Sequence, residues 1–159
     1  MQYILMILMA AGIVAADQFT KHLTIQHLSS GDIPLIPGVV RLTYIENDGA
    51  AFSMFEGAQW LFALVFLVFT AAIIWEFITR KMDFTKLERW FIVAIWAGGL
   101  GNMIDRLTRG GRVVDMICTE FITFPVFNVA DIFITCGCIL LLVHLVFFNR
   151  SFWKDKKKK

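Results

Sequence analysis

Charge is scarce in this chain. Charged residues make up 18% of its 159 positions, whereas a soluble domain usually carries about a quarter. Apolar residues account for 58%, and they lie in long uninterrupted runs. In water such runs would leave large exposed patches, so lipid is the solvent that fits them. Cysteine is sparse too. Cys118, Cys136 and Cys138 are odd in number, and Cys136 and Cys138 sit in an apolar run with no histidine nearby. That excludes a disulfide framework and a zinc site, and leaves them as small packing residues. A chain this short has room for one domain.

Four stretches are long enough for the roughly 20 residues that a hydrocarbon layer of about 30 Å requires. They cover about 1–16, 60–78, 90–106 and 131–148. The first lacks the basic start of a secretory signal. It runs into Asp17-Gln-Phe-Thr-Lys21 rather than a small-residue cleavage site, so it reads as a retained helix. Lysine and arginine set the expected orientation. Ten of the fifteen lie in the link 79–89 and the tail 149–159, which are expected in the cytoplasm. The other five, Lys21, Arg41, Arg106, Arg109 and Arg112, lie in or beside 17–59 and 107–130, which are expected outside. The lysine-rich tail suits anionic lipid headgroups.

Acidic residues show the opposite bias. Nine of thirteen fall at the outward side, among them Asp17, Asp48, Asp105, Asp115, Glu120 and Asp131. Acids contribute little to topology, so their enrichment asks for a functional cause. Within 17–59, Ile33-Pro-Leu-Ile-Pro-Gly38 reads as a turn and Val39–Glu46 as a strand. Gly49–Phe55 is apolar but too short to cross, and suits the membrane surface.

The third apolar stretch ends Gly98-Gly-Leu-Gly101-Asn102-Met-Ile-Asp105-Arg106. Gly98, Gly101, Asn102 and Asp105 share one helix face, where the glycines allow close packing and the polar groups turn into a bundle. Those polar residues could be helix-to-helix glue or part of a site. Gly110-Gly-Arg-Val-Val-Asp115 then reads as a turn and a short extended segment presenting Asp115. Phe124-Pro-Val-Phe-Asn128-Val-Ala-Asp131 brings a second carboxylate to the start of the last apolar stretch. Two carboxylates at one apolar-rimmed place share a single proton, which suits hydrolysis of a peptide bond. No histidine lies near an outward-facing serine: His22 and His27 read as solvated loop residues, and His144 falls at the far end of the last stretch. No histidine pair has metal-ligand spacing either. On the residues alone, an intramembrane aspartyl hydrolase and a transporter or channel with buried acids stand level.

Five segments together resemble the bacterial lipoprotein signal peptidases, signal peptidase II. They are Asp17-Gln-Phe-Thr-Lys21, Asn47-Asp-Gly-Ala-Ala-Phe52, Gly98 to Arg106, Gly111-Arg-Val-Val-Asp115 and Phe127-Asn-Val-Ala-Asp131. They occur in that family's order along nearly the whole chain. The resemblance implies a membrane all-α fold, a four-transmembrane-helix bundle with a small extracytoplasmic β-sheet and a surface helix. It implies an aspartic endopeptidase that removes signal peptides from prolipoproteins just before a diacylglyceryl-modified cysteine. Asp115 and Asp131 would be the catalytic pair. Asn47, Gly49, Asn102, Arg106 and Asn128 would line the substrate pocket, and Asp17, Lys21 and Asp105 would support it. The expected location is the bacterial inner membrane, with both termini cytoplasmic and the site near the outer surface. The expected partners are prolipoproteins and membrane lipids, not nucleic acid. No metal or cofactor is expected, and the chain is expected to be a monomer. One departure is Met116, where an aromatic residue is expected after Val-Val-Asp. Polar residues in the second and fourth stretches are few (Thr70 and Glu76, Thr135 and His144), which speaks against a conduction path.

Overall fold

The computed structural model describes residues 1–49, 57 and 59–149. Four long helices, α1 (Gln2–His27), α2 (Gln59–Thr79), α3 (Lys86–Thr108) and α4 (Val129–Phe147), carry a three-stranded sheet at one end. Its strands are β1 (Ile33–Ile36), β2 (Val40–Asn47) and β3 (Val113–Thr119), in the order β1-β2-β3 and antiparallel throughout.

The helices are dressed inside out. In α2 the one buried residue is Glu76, while Leu64, Val65, Leu67 and Val68 are exposed. Apolar side chains point outward where lipid would meet them and polar ones point in, the arrangement a hydrocarbon solvent imposes. By length and composition α1, α2 and α4 can each cross a membrane. Helix α3 falls short of the same measure, because Lys86, Glu88 and Arg89 open it and Asn102, Asp105 and Arg106 close it. It nevertheless sits at the centre, packed against the other three helices. Small residues make this possible. A Cβ at Gly98 would stand 2.5 Å from the Ala130 carbonyl oxygen, and one at Gly101 would stand 2.5 Å from an Asp17 carboxylate oxygen. Ala10, Ile13 and Ala97 form the apolar layer midway along the bundle.

Several boundaries differ from the expectation. Helix α1 does not stop at Ala16 but continues to His27. Asp17 and Lys21 end the apolar run without ending the helix, because each finds a buried partner. His22 and His27 are exposed as expected, but on this helix rather than in a loop. The stretch expected as a turn over 33–38 is strand β1 followed by a tight turn, in which Gly38 has φ 74° and Val39 N–H bonds the Ile36 carbonyl at 2.9 Å. Pro34 belongs to the edge strand, where its missing N–H costs nothing. Helix α3 starts at Lys86, ahead of Trp90, because Thr85 and Glu88 form a reciprocal cap. The apolar segment 49–55, expected at the membrane surface, lies from residue 50 onward outside the described residues.

Candidate active site

Three backbone devices bring the polar residues together. Gly110 (φ 62°) and Gly111 (φ 93°) turn the chain out of α3, conformations that favour glycine. The turn delivers β3, where Val113, Val114, Asp115 and Met116 are all buried. Pairing with β2 sets Ile45 opposite Asp115 and Asn47 opposite Val113. At the start of α4 the Asn128 side chain accepts from Asp131 N–H, and the Asp131 carboxylate accepts from Asn128 N–H. That reciprocal cap fixes Asp131 in the first turn of the helix.

The result is a pair of carboxylates surrounded by oriented amides. Asp115 accepts from Asn47 Nδ2 at 3.0 Å and from Asn128 Nδ2 at 2.7 Å. Asp131 accepts from Asn102 Nδ2 at 2.8 Å and from Asn128 N–H at 3.1 Å. Each of the three asparagines has its carbonyl oxygen already engaged. Asn47 Oδ1 receives Gly49 N–H, Asn102 Oδ1 receives Lys21 Nζ, and Asn128 Oδ1 receives Asp131 N–H. Their NH₂ groups are left facing the carboxylates. Asp115 is only 3% exposed. Burial above all pushes its carboxyl up to about 6, and the charge of Asp131 pushes the same way against the Asn47 and Asn128 hydrogen bonds.

Beneath the pair lies an ion cluster with no exposed side-chain surface. Lys21 Nζ is 2.9 Å from Asp17 Oδ2 and 3.0 Å from Asp105 Oδ2, all at 0% exposure. Its carboxylates also hold the backbone. Asp17 Oδ1 accepts from Ala130 N–H at 2.9 Å, and Asp105 Oδ2 from Val114 N–H at 3.1 Å. Helices α1, α3 and α4 and strand β3 therefore meet at this cluster. Charges buried this deeply are tolerable only when fully partnered, and Gln18 and Arg109 supply further donors to Asp105.

Arg106 donates to the Gly49 carbonyl at 2.9 Å and lies over the Phe62 ring, 4.2 Å from its centroid. Among the described residues it forms no ion pair with either aspartate, and its buried Nε has no partner. A cavity of about 460 Å³ opens over the pair. Asn47, Gly49, Asn102, Arg106, Asp115 and Asp131 form its polar side. Phe124 to Phe127, Ile132, Thr135 and Cys136 form a wall that is mainly apolar. Asn128, expected in the pocket, instead lies fully buried behind the carboxylates. Its two NH₂ hydrogens are used on Asp115 and Asn102. Met116, at 4% exposed, fills the place where an aromatic residue was expected.

Sequence reasoning missed Gln18, Phe62 and the α4 wall. Ile132, Thr135 and Cys136 follow Asp131 by one, four and five positions. Helical spacing from a carboxylate at the start of an apolar run was the available signal for that wall. Gln18 stands beside Asp17 at the edge of the apolar run, which was the signal available for it, while Phe62 carried none, since nothing local marks which phenylalanine meets a distant helix.

A membrane-embedded helical bundle with two amide-ringed aspartates, one buried and one half-buried, beneath a cavity with an apolar wall fits one class, the membrane aspartic proteases. The sequence matches the signal peptidase (SPase) II family over residues 9–147. The lipoprotein signal peptidase of Lactococcus lactis is 42% identical over 89% of this chain and 92% of its own length. That of Streptococcus pyogenes serotype M1 is 39% identical over 91% and 90%. A bacterial membrane enzyme solved by the in meso method at 2.3 Å superposes with a TM-score of 0.80 at 30% identity, covering 97% of this chain and 93% of that one. The chain belongs to the signal peptidase II family, aspartic proteases that cleave signal peptides from prolipoproteins.

Proposed function

We propose that this protein is a four-span endopeptidase of the bacterial inner membrane, cutting prolipoprotein signal peptides just before the diacylglyceryl-modified cysteine. Asp115 and Asp131 are its acid–base pair. The observation that carries this reading is the pair of carboxylates, each receiving two N–H donors, at the mouth of a cavity with an apolar wall.

The chemistry follows from the shared proton. The ionised aspartate takes a proton from water, whose oxygen attacks the scissile carbonyl, while the protonated aspartate donates to the carbonyl oxygen. Arg106 stays charged and presents a planar fork to the cavity, which suits holding substrate backbone or lipid ester oxygens. A lipidated signal peptide is an apolar helix with acyl chains. Its natural approach is sideways through the bilayer, onto the wall formed by 124–127 and the first turns of α4.

Helix α3 serves as the fourth span. Its 23 residues rise about 1.5 Å each, enough for a bilayer core, and its charged ends stand at the two surfaces. Both termini are cytoplasmic on the lysine and arginine bias, and the dyad is at the outer surface. A transport reading is disfavoured by the apolar layer of Ala10, Ile13 and Ala97. It separates the dyad end from a second buried polar cluster, in which Glu88 bonds His144 and Asn149 and Glu76 pairs with Arg89.

Incubating the purified protein with a diacylglyceryl-modified prolipoprotein and following the signal-peptide shift on a gel tests the reading. Wild type should cleave, with or without EDTA. Asp115→Asn and Asp131→Asn should each lose activity by at least about 10³-fold while inserting normally. Near wild-type turnover in either variant would remove that aspartate from the mechanism.

A further inference from the structure

Two aspartates sharing one proton can hold it in two ways, and the surroundings of this pair are not symmetrical. Asp131 is in the first turn of α4, where the helix N-terminus favours an anion and Asn128 N–H donates to its carboxylate. Asp115 lies in a strand, and its two hydrogen bonds come from side-chain amides rather than from a backbone N–H. The amides differ in kind as well. Asn102 Oδ1 receives two donors at once, Lys21 Nζ at 2.9 Å and Asn128 Nδ2 at 3.0 Å. An amide whose oxygen is held twice cannot flip without turning its NH₂ against the Lys21 ammonium and the Asn128 NH₂, so Asn102 Nδ2 must face Asp131.

The charged groups around the dyad come from every element that packs on it. From α1, Lys21 attracts the negative charge and Asp17 repels it. From α3, Asp105 is paired with Lys21 and Arg109, and Arg106 acts on both aspartates. Lys21 also reaches both and is flanked by two carboxylates, so its net field does not discriminate between them. Its donor path does, because the Asn102 NH₂ that Lys21 orients donates to Asp131 and not to Asp115.

The geometry points to Lys21 as a positioning residue that acts through Asn102, holding the dyad's negative charge on Asp131 and its proton on Asp115. This rests on the peptidase reading above. Asp131 is then the base: water's oxygen bonds the carbonyl carbon as water's proton passes to Asp131. Asp115 is the acid and gives its proton to the carbonyl oxygen. On collapse the C–N bond breaks, Asp131 passes its proton to the departing amine nitrogen, and Asp115 recovers its own from the hydroxyl.

The test is a pH titration of wild-type protein labelled with ¹³C at the aspartate carboxyl carbons, in detergent micelles, with signals assigned by Asp115→Asn and Asp131→Asn. The Asp131 signal should stay at its ionised position through the pH range in which Asp115 titrates. An Asp131 signal that titrates at higher pH than Asp115 overturns the assignment. The role of Lys21 is read from the double variant Asp17→Asn with Lys21→Met, which removes the ammonium without leaving Asp17 unpaired. The acidic limb of kcat/KM should move up by about one pH unit, a tenfold change in proton affinity, while Lys21→Arg keeps it in place. A uniform loss at all pH values with an unmoved limb means a structural role only, and sinks the positioning claim. Should the double variant not fold, the wild-type titration decides the asymmetry on its own. If wild type shows the asymmetric titration yet cleaves no lipidated precursor, the peptidase reading fails and the asymmetry survives.

Discussion

Asp115 is held where a carboxylate is costly, and that cost can be measured. Burial pushes its carboxyl up to about 6, above the ordinary carboxylate range. The folded state therefore binds this proton more tightly than the unfolded chain, and stability falls as pH rises from about 4 through 6. Above that window the buried anion costs up to about 3 kcal/mol. Asp115→Asn should accordingly melt at a higher temperature than wild type at pH 7.5, with the advantage gone below pH 4. A lower melting temperature for Asp115→Asn at pH 7.5 contradicts the burial argument. Arg106 is a separate case, since its hydrogen bonds go to carbonyls of Gly49 and Asn102 and not to the aspartates. Arg106→Lys keeps the charge and loses the fork, so kcat/KM should fall, and Arg106→Ala should fall further. Both should keep each limb of the pH–rate profile within about one unit of wild type, because Arg106 acts on the aspartates through space and bonds neither, and a larger displacement in Arg106→Ala would place it in the proton chemistry. These residues could be read in the sequence because each stood against its surroundings, as a charge or amide at the edge of an apolar run. Phe62 is ordinary where it stands, and only the fold makes it a partner of Arg106.

At the scale of elements, the weight falls on how closely α3 is approached. Gly101 faces Asp17, and Gly98 faces the Ala130 carbonyl and Ile134. A methyl group at either position must push α1 or α4 away, and with it the ion cluster or the Asn128 cap. Gly101→Ala and Gly98→Ala should each cost about 1–3 kcal/mol of stability, seen as a lower melting temperature. Gly99→Ala meets only the Phe66 ring at 3.3 Å and should be milder. Equal behaviour of the three would show that helix spacing here is not set by backbone approach. The glycine face was legible from its spacing, and so was the β3 segment carrying Asp115. The length of α1 was not, because an apolar run ends at its first charges while a helix ends where its backbone bonds stop. Lys21 satisfies that ending in the third dimension, through Asp105 on a helix far along the chain. The turn expected over 33–38 failed for a related reason. Its prolines marked a break, yet Pro34 lies in an edge strand and only the Pro37–Gly38 corner turns.

For the whole molecule, the account requires the dyad end and the 79–89 link to lie on opposite faces of the membrane. A cysteine placed in the 81–88 link should be labelled by an impermeant reagent only from the cytoplasmic side, and one at Gly110 only from outside. Labelling of both from one face would overturn the four-span arrangement. On the proposed reading, that arrangement would give the enzyme access to a substrate within the bilayer, with apolar flanks towards lipid and the amide-ringed carboxylates at one surface. The most direct measurement of the central claim is mass spectrometry of the products after incubation with a diacylglyceryl-modified prolipoprotein. The account predicts one cut, placing the lipid-bearing cysteine at the new N-terminus, in wild type and in neither Asp115→Asn nor Asp131→Asn. A cut elsewhere, or the same cut made by either variant, would contradict it.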